Sequence, residues 1–321
     1  MSVVAAENPG GGGLWARARV IAADIKLAHS VFAMPFAVLG AFLAWRGAGA
    51  GQGAGQAGGE ESSGRFAGQL ALIVLCMVAA RTWAMLFNRL ADWRYDAANP
   101  RTARRAIPSG RLTVRQGWAA AAGAAVAFVA CASLFGVLFG NWWPAALSAP
   151  VLAWIAFYSL TKRFTALAHV FLGGALAASP LAAAIAVDPG ALDGVPALWF
   201  VAGMVLLWVA GFDVIYALQD EEFDRGAGLR SIPARLGPAA ALWVSRGLHA
   251  GALAMLLLAW RAEPRFGWLF GAGVGAVAAL LALEHLILLR RGRAGLEMAF
   301  FTVNGVVSCV LGAAGCVDLV L

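Results

Sequence analysis

Charge is scarce in this chain. Only 13% of its 321 residues are Asp, Glu, Lys or Arg, against 61% hydrophobic, whereas an average soluble domain is roughly 25% charged and about half apolar. Too little polar surface remains to clothe a globule of this size, which argues against a soluble fold. The same figures exclude disorder, which needs low hydrophobicity and high net charge. Lysine is almost missing: Lys26 and Lys162 are the only two, so arginine is the default cation and each lysine stands out. The four cysteines, Cys76, Cys131, Cys309 and Cys316, lie singly in apolar runs without C-x-x-C spacing, which indicates neither a disulfide framework nor a zinc site. The N-terminal stretch MSVVAAENPGGGG lacks the basic, apolar and small-residue series of a cleaved signal peptide. Apolar residues do not alternate in ten-residue strips, which argues against a membrane β-barrel.

What the sequence does contain is long apolar blocks. A membrane-spanning helix needs about 20 mostly apolar residues. Nine such spans are predicted, at about 27–45, 68–88, 117–138, 142–160, 165–187, 196–214, 238–260, 267–289 and 297–318. Several connections are very short, so neighbouring helices run antiparallel. Residues 47–59 are Gly/Ala/Gln-rich and read as a flexible loop.

The net charge of +7 would suggest nucleic acid in a soluble protein, but here its distribution matters more. The N-terminus and the loops after the second, fourth, sixth and eighth spans hold eighteen of the basic residues. The opposite side holds four, Arg46, Arg65, Arg261 and Arg265. This asymmetry places the first side in the cytoplasm and the C-terminus outside.

The informative acids form two series on that cytoplasmic side. Asn88, Asp92 and Asp96 follow the second span at four-residue spacing. Asp213, Tyr216, Asp220 and Asp224 follow the sixth. Four residues advance a helix by about 400°, so Asn88, Asp92 and Asp96 share one face, and so do Tyr216, Asp220 and Asp224. Carboxylates at a helix C-terminus oppose its dipole, like charges one turn apart repel, and an acid at the membrane edge needs a partner or a function. One D-x-x-x-D alone is common at helix ends; two matched series call for a cation. All-oxygen ligands suit Mg²⁺, which takes a few carboxylates together with substrate phosphates.

Basic residues accompany both series, in NPRTARRAIPSG (Asn99–Gly110) and YSLTKR (Tyr158–Arg163). Acids, Mg²⁺ and several guanidinium groups together are what a diphosphate requires. Arg111, Arg115 and Arg290, Arg291 and Arg293 read as ordinary positive-inside charge. Lys26, three residues before His29 at the start of the first span, is placed either to receive an anionic group or to anchor at the interface. His169, His249 and His285 are isolated in sequence and read as packed or interfacial side chains. Gly136-x-x-x-Gly140 and Gly271-x-x-x-Gly275 read as close helix contacts. The aromatic residues read mainly as interfacial belts and lipid-facing surface.

Taken together, these residues resemble the UbiA superfamily of intramembrane aromatic prenyltransferases across nearly the whole chain. The resemblance is carried by N-x-x-x-D-x-x-x-D, by D-x-x-Y-x-x-x-D-x-x-x-D, and by the NPRTARRAIPSG, YSLTKR and SIPARLG segments. IKLAHSVFAMPFAVLGA resembles the first helix of the 4-hydroxybenzoate polyprenyltransferase-like branch. The resemblance implies an all-α polytopic membrane protein. About nine transmembrane helices would form a bundle around a central cavity open to the cytoplasmic side. One domain would cover 1–321, with a flexible N-terminus at 1–20 and a flexible extracytoplasmic loop at 46–66.

It further implies transfer of a polyprenyl group from polyprenyl diphosphate to a small aromatic acid, with 4-hydroxybenzoate favoured, in quinone biosynthesis at a bacterial inner membrane. Asn88, Asp92 and Asp96 would hold one Mg²⁺, and Asp213, Asp220 and Asp224 another; Asp92, Asp96, Asp220 and Asp224 would be catalytic. Arg101, Arg105, Lys162 and Arg163 would bind the diphosphate. Lys26, His29, Tyr158 and Tyr216 would line the acceptor and prenyl pocket. Arg89 departs from the acid found there in many members. Other acceptors remain open, among them 1,4-dihydroxy-6-naphthoate and porphyrin- or chlorophyll-type alcohols. The rival from another class is a transporter with acidic ion sites, although transporters place their key charges near the bilayer midplane.

Overall fold

A computed structural model describes residues 19–21, 32–45, 59–296 and 298–321. Lys26 and His29 lie outside the described residues, as does most of the predicted 46–66 loop. The described elements are helical. The long ones are α1 (Met34–Ala44), α2 (Gly59–Ala98), α3 (Val114–Phe139), α4 (Trp143–Thr161), α5 (Ala168–Val187), α6 (Ala197–Tyr216), α7 (Pro238–Ala262), α8 (Trp268–Arg291) and α9 (Asn304–Asp318). Among the described residues, eight helices are long and apolar enough to cross a membrane; α1 is apolar but shorter. Each predicted span finds its helix, α1 matching the second half of the first.

Two boundaries differ from expectation. Helix α2 begins at Gly59, so residues 59–66 are helical where a flexible loop was expected. Its 40 residues rise about 60 Å at 1.5 Å each, roughly twice the hydrocarbon thickness. The first acid series therefore lies on α2 itself, beyond the apolar part. The second difference follows α6. That helix tightens into a 3₁₀ turn at Ala217–Asp220 before a short helix, Glu221–Gly226, so the second series is not one continuous α-helix.

Helix α6 is the centre of the bundle. Within its apolar window 67% of residues are buried, against 22–44% for the other spans. It packs along α5 and α7, and Phe36, Leu39, Trp208, Leu256 and Phe270 fill the core around it. The α5–α6 approach depends on Gly173, where a Cβ would stand 2.3 Å from the Leu206 carbonyl oxygen.

The glycine pairs do half of what their spacing suggests. Gly136 lies under the Trp142 ring and Gly271 under the Trp260 ring, each with no room for a Cβ. Gly275 faces open space. Gly140 instead ends α3 in the left-handed region at φ 74°, a conformation that glycine adopts without strain.

The ends of the helices are tied by side chains. Thr113 and Gln116 form a capping box at the start of α3. Asp318 Oδ2 accepts from the Gly267 and Phe270 amides at 2.8 and 2.7 Å, placing an acid at the N-terminus of α8, where it complements the dipole. Arg265 donates to the Leu43 carbonyl at 2.9 Å and satisfies one of the orphan carbonyls at the C-terminal end of α1.

Candidate active site

The C-terminal end of α2, the loop 99–113, the α4–α5 turn and the segment after α6 meet around one polar chamber of about 530 Å³. Asn88, Asp92, Asp96, Arg101, Arg105, Tyr158, Lys162, Arg163, Asp213, Tyr216, Asp220 and Asp224 all line it. Twelve of the fourteen site residues expected from sequence are thus in one place, and the other two, Lys26 and His29, fall outside the described residues.

Each of the five aspartates faces one basic or imidazole side chain. Arg163 reaches Asp92 Oδ1 at 3.1 Å. Arg105 Nη1 donates to both oxygens of Asp96 at 2.6 and 2.8 Å. Arg101 Nε donates to Asp220 Oδ1 at 2.8 Å, and its Nη2 to Oδ2. Lys162 Nζ lies 2.7 Å from Asp224 Oδ2. His169 Nδ1 lies 2.6 Å from Asp213 Oδ2. Four of the acids expected to hold metal therefore pair with the four residues expected to hold diphosphate.

Local structure explains the placement. Asn88, Asp92 and Asp96 stay on one face because α2 is unbroken. Beyond it the chain turns back: Thr102 Oγ1 donates to the Asp96 carbonyl at 3.1 Å, and Ala106, Ile107 and Leu112 bury against Leu86 and Leu90. This fold-back aims Arg101 and Arg105 inward. Asn99 Nδ2 donates to Asp220 Oδ1 at 2.9 Å while its Oδ1 accepts from the Arg101 amide at 3.0 Å, so the segment after the first series physically holds the second. Arg230 ties the opposite wall, its amide donating to the Lys162 carbonyl and its Nη1 to that of Phe164, both at 2.7 Å. Burial works against the Arg101 charge, but the Asp220 carboxylate outweighs it, with Tyr216 adding, and the guanidinium sits above its ordinary range.

Several participants escape the sequence reading. His169 is 3% exposed and engages Asp213, so it is not a bystander. Arg89 is buried and donates to Asn88 Oδ1 at 3.4 Å, which orients the amide. Arg293 bonds Glu221 at 3.1 Å, so this member of the basic cluster anchors the second motif in addition to marking topology. Phe300, in a π-helical turn at Met298–Val303, stacks on Tyr216 with ring centroids 4.1 Å apart; such turns recur at functional sites. His249 and His285 are not isolated either. Their rings meet at 3.1 Å, beside a buried Glu284–Asn304–Trp208 chain remote from the chamber.

A second, apolar cavity of about 300 Å³ lies among α2, α3, α4 and α5. Arg81, Tyr158 and Leu172 line both cavities, so the two meet there. Arg81 is a cation within the span of α2, on the Asn88 face two turns deeper, and its Nε has no hydrogen-bond partner among the described residues.

The UbiA prenyltransferase family matches residues 33–306. The chain is 32% identical over 233 residues to a 4-hydroxybenzoate octaprenyltransferase of Acidovorax ebreus (strain TPSY), covering 72% of this chain and 76% of that one. Its fold matches the apo structure of a UbiA homolog from Aeropyrum pernix K1 with TM-score 0.70 and 30% identity, over 91% of this chain and 98% of the other. It also matches a UbiA homolog from Archaeoglobus fulgidus bound to GPP and Mg²⁺, with TM-score 0.67, 18% identity and coverage of 94% and 100%. The chain is an integral membrane protein and belongs to the UbiA prenyltransferase family.

Proposed function

We propose that the chain transfers a polyprenyl group from polyprenyl diphosphate to the aromatic acid 4-hydroxybenzoate, with Mg²⁺, as a step of quinone biosynthesis at the cytoplasmic face of a bacterial inner membrane. The observation that carries this reading is the polar chamber of paired acids and bases opening onto an apolar pouch. A diphosphate with a hydrocarbon tail has that same division. The family membership and the octaprenyltransferase relative support it, and the Archaeoglobus homolog bound to GPP and Mg²⁺ shares the fold.

The residues suit Mg²⁺ in chemistry. The donors are carboxylate and amide oxygens, hard ligands of the kind it takes, and Asp224 is buried with an oxygen, Oδ1, that lacks a hydrogen-bond partner among the described residues. As they stand, no three described acids or histidines converge tightly enough to hold an ion, because each acid faces its basic partner. We infer an exchange of partners on substrate binding. Arg101, Arg105, Lys162 and Arg163 turn from the carboxylates to phosphate oxygens, and Asn88, Asp92, Asp96, Asp213, Asp220 and Asp224 are released to the ions. When bound, Mg²⁺ supplies Lewis-acid stabilisation of the charge that builds on the diphosphate.

The basic residues then hold the leaving diphosphate as the allylic C–O bond breaks and the electron pair departs with oxygen. Tyr158 and Tyr216, with Phe300 behind, turn aromatic faces toward the allylic cation, which cation–π attraction shields from water. Arg81 takes the carboxylate of the acceptor and holds its ring at the junction of the cavities. The ring carbon ortho to the hydroxyl attacks the allylic carbon, a C–C bond forms, and that carbon loses its proton. Asp92→Ala and Asp220→Ala test the reading. Each should abolish turnover while the protein remains folded in the membrane; full activity of either purified variant with Mg²⁺ contradicts it.

A further inference from the structure

The five acids of the chamber are not partnered alike. Asp92, Asp96, Asp220 and Asp224 face arginine or lysine, cations with work of their own on the diphosphate. Asp213 faces His169. The state of that ring follows from its two neighbours. The backbone N–H of Ile232 donates to His169 Nε2 at 3.3 Å, so Nε2 carries no proton. Nδ1 is then the nitrogen that donates to Asp213 Oδ2, at 2.6 Å. Both nitrogens are used, and the ring is 3% exposed.

One consequence follows. One oxygen of Asp213, which lines the chamber, is tied to a buried donor that the diphosphate has no reason to draw away. Building on the reading of the chamber as a metal–diphosphate site, we propose that His169 is a positioning residue. It fixes Asp213 as a single-oxygen ligand for a divalent cation, oriented before the other four acids exchange partners. It also ties that ligand to Ile232, the first residue of the short helix Ile232–Leu236, so the loop after the second motif registers against α5 and α6. A partner that orients a ligating carboxylate in this way is typically worth 10–100-fold in metal affinity.

The test is binding of Mn²⁺, read by electron paramagnetic resonance on the full chain in lipid nanodiscs without diphosphate, with thermal midpoints recorded alongside. In His169→Asn the amide nitrogen stands where Nδ1 stood and still donates to Asp213, while the Ile232 contact is lost; in His169→Leu both are lost. Affinity should stay within about threefold of wild type in His169→Asn and fall about tenfold or more in His169→Leu, even where the two midpoints fall equally. Wild-type affinity in folded His169→Leu, or equal losses in the two variants, overturns the proposal. If the leucine variant does not fold, His169→Asn decides alone: retained affinity supports the proposal and a tenfold loss overturns it. Asp213→Ala separates the two levels. If wild type binds no Mn²⁺, or Asp213→Ala binds as wild type does, the metal reading of the chamber fails and this inference with it; if Asp213→Ala binds weakly while His169→Leu is unaffected, only this inference fails.

Discussion

Replacing Lys162 with methionine removes the ammonium 2.7 Å from Asp224 while keeping most of the side chain's length. The Asp224 side chain is 1% exposed and that of Lys162 32%. Removing one partner of a fully buried pair costs about 3–5 kcal/mol, because the other charge is left uncompensated. Here the lysine reaches partly into water, which can replace some of what it gave, so the loss should be about 2–3 kcal/mol. Arg101, Arg105 and Arg163 do not replace it, since they are committed to Asp220, Asp96 and Asp92. In detergent without Mg²⁺ or diphosphate, this corresponds to a thermal midpoint lowered by roughly 3–5 °C. A neutral amide needs no counter-charge, so Lys162→Met/Asp224→Asn should recover at least half of that drop. Tryptophan fluorescence during heating measures both. The reasoning is refuted if the single variant melts within about 1 °C of wild type, or if the double variant melts as low as the single.

Arg81→Leu should raise KM for the aromatic acid about tenfold or more, the worth of a hydrogen bond to a charged group, and leave KM for the prenyl diphosphate within about twofold; steady-state kinetics with each substrate varied will show it. Gly173→Ala should lower the thermal midpoint, because the added methyl meets the Leu206 carbonyl and overpacking costs about 1–3 kcal/mol. Gly275→Ala, which adds its methyl to open space, should leave the midpoint unchanged.

The sequence made the acids legible because a four-residue repeat on an unbroken helix has one geometric outcome. Asn88, Asp92 and Asp96 share a face as their spacing requires. The second series was legible in its residues but not in its backbone, since nothing in Ala217–Asp220 announces a 3₁₀ turn; tertiary contacts such as that of Asp220 with Asn99 and Arg101 select it. His169 was beyond reach for a different reason. Its role rests on Asp213 and Ile232, 44 and 63 residues away in sequence, and no local pattern reports such a distance. Arg81 could have been found, because a lone cation inside an apolar span needs a reason to be there. The glycine pairs mislead because G-x-x-x-G spacing does not say whether a glycine serves a contact or a helix end, and Gly140 serves the end.

The central claim is prenyl transfer from a diphosphate onto an aromatic acid. Its most direct test incubates the purified chain in lipid nanodiscs with a polyprenyl diphosphate, Mg²⁺ and either 4-hydroxybenzoate or 1,4-dihydroxy-6-naphthoate, and identifies the lipid-extractable product by mass spectrometry. The account predicts a C-prenylated 4-hydroxybenzoate, formed with Mg²⁺ and lost on chelation. Prenylation of the naphthoate alone would contradict the acceptor, and the absence of any prenylated product from folded, Mg²⁺-supplied protein would contradict the account itself.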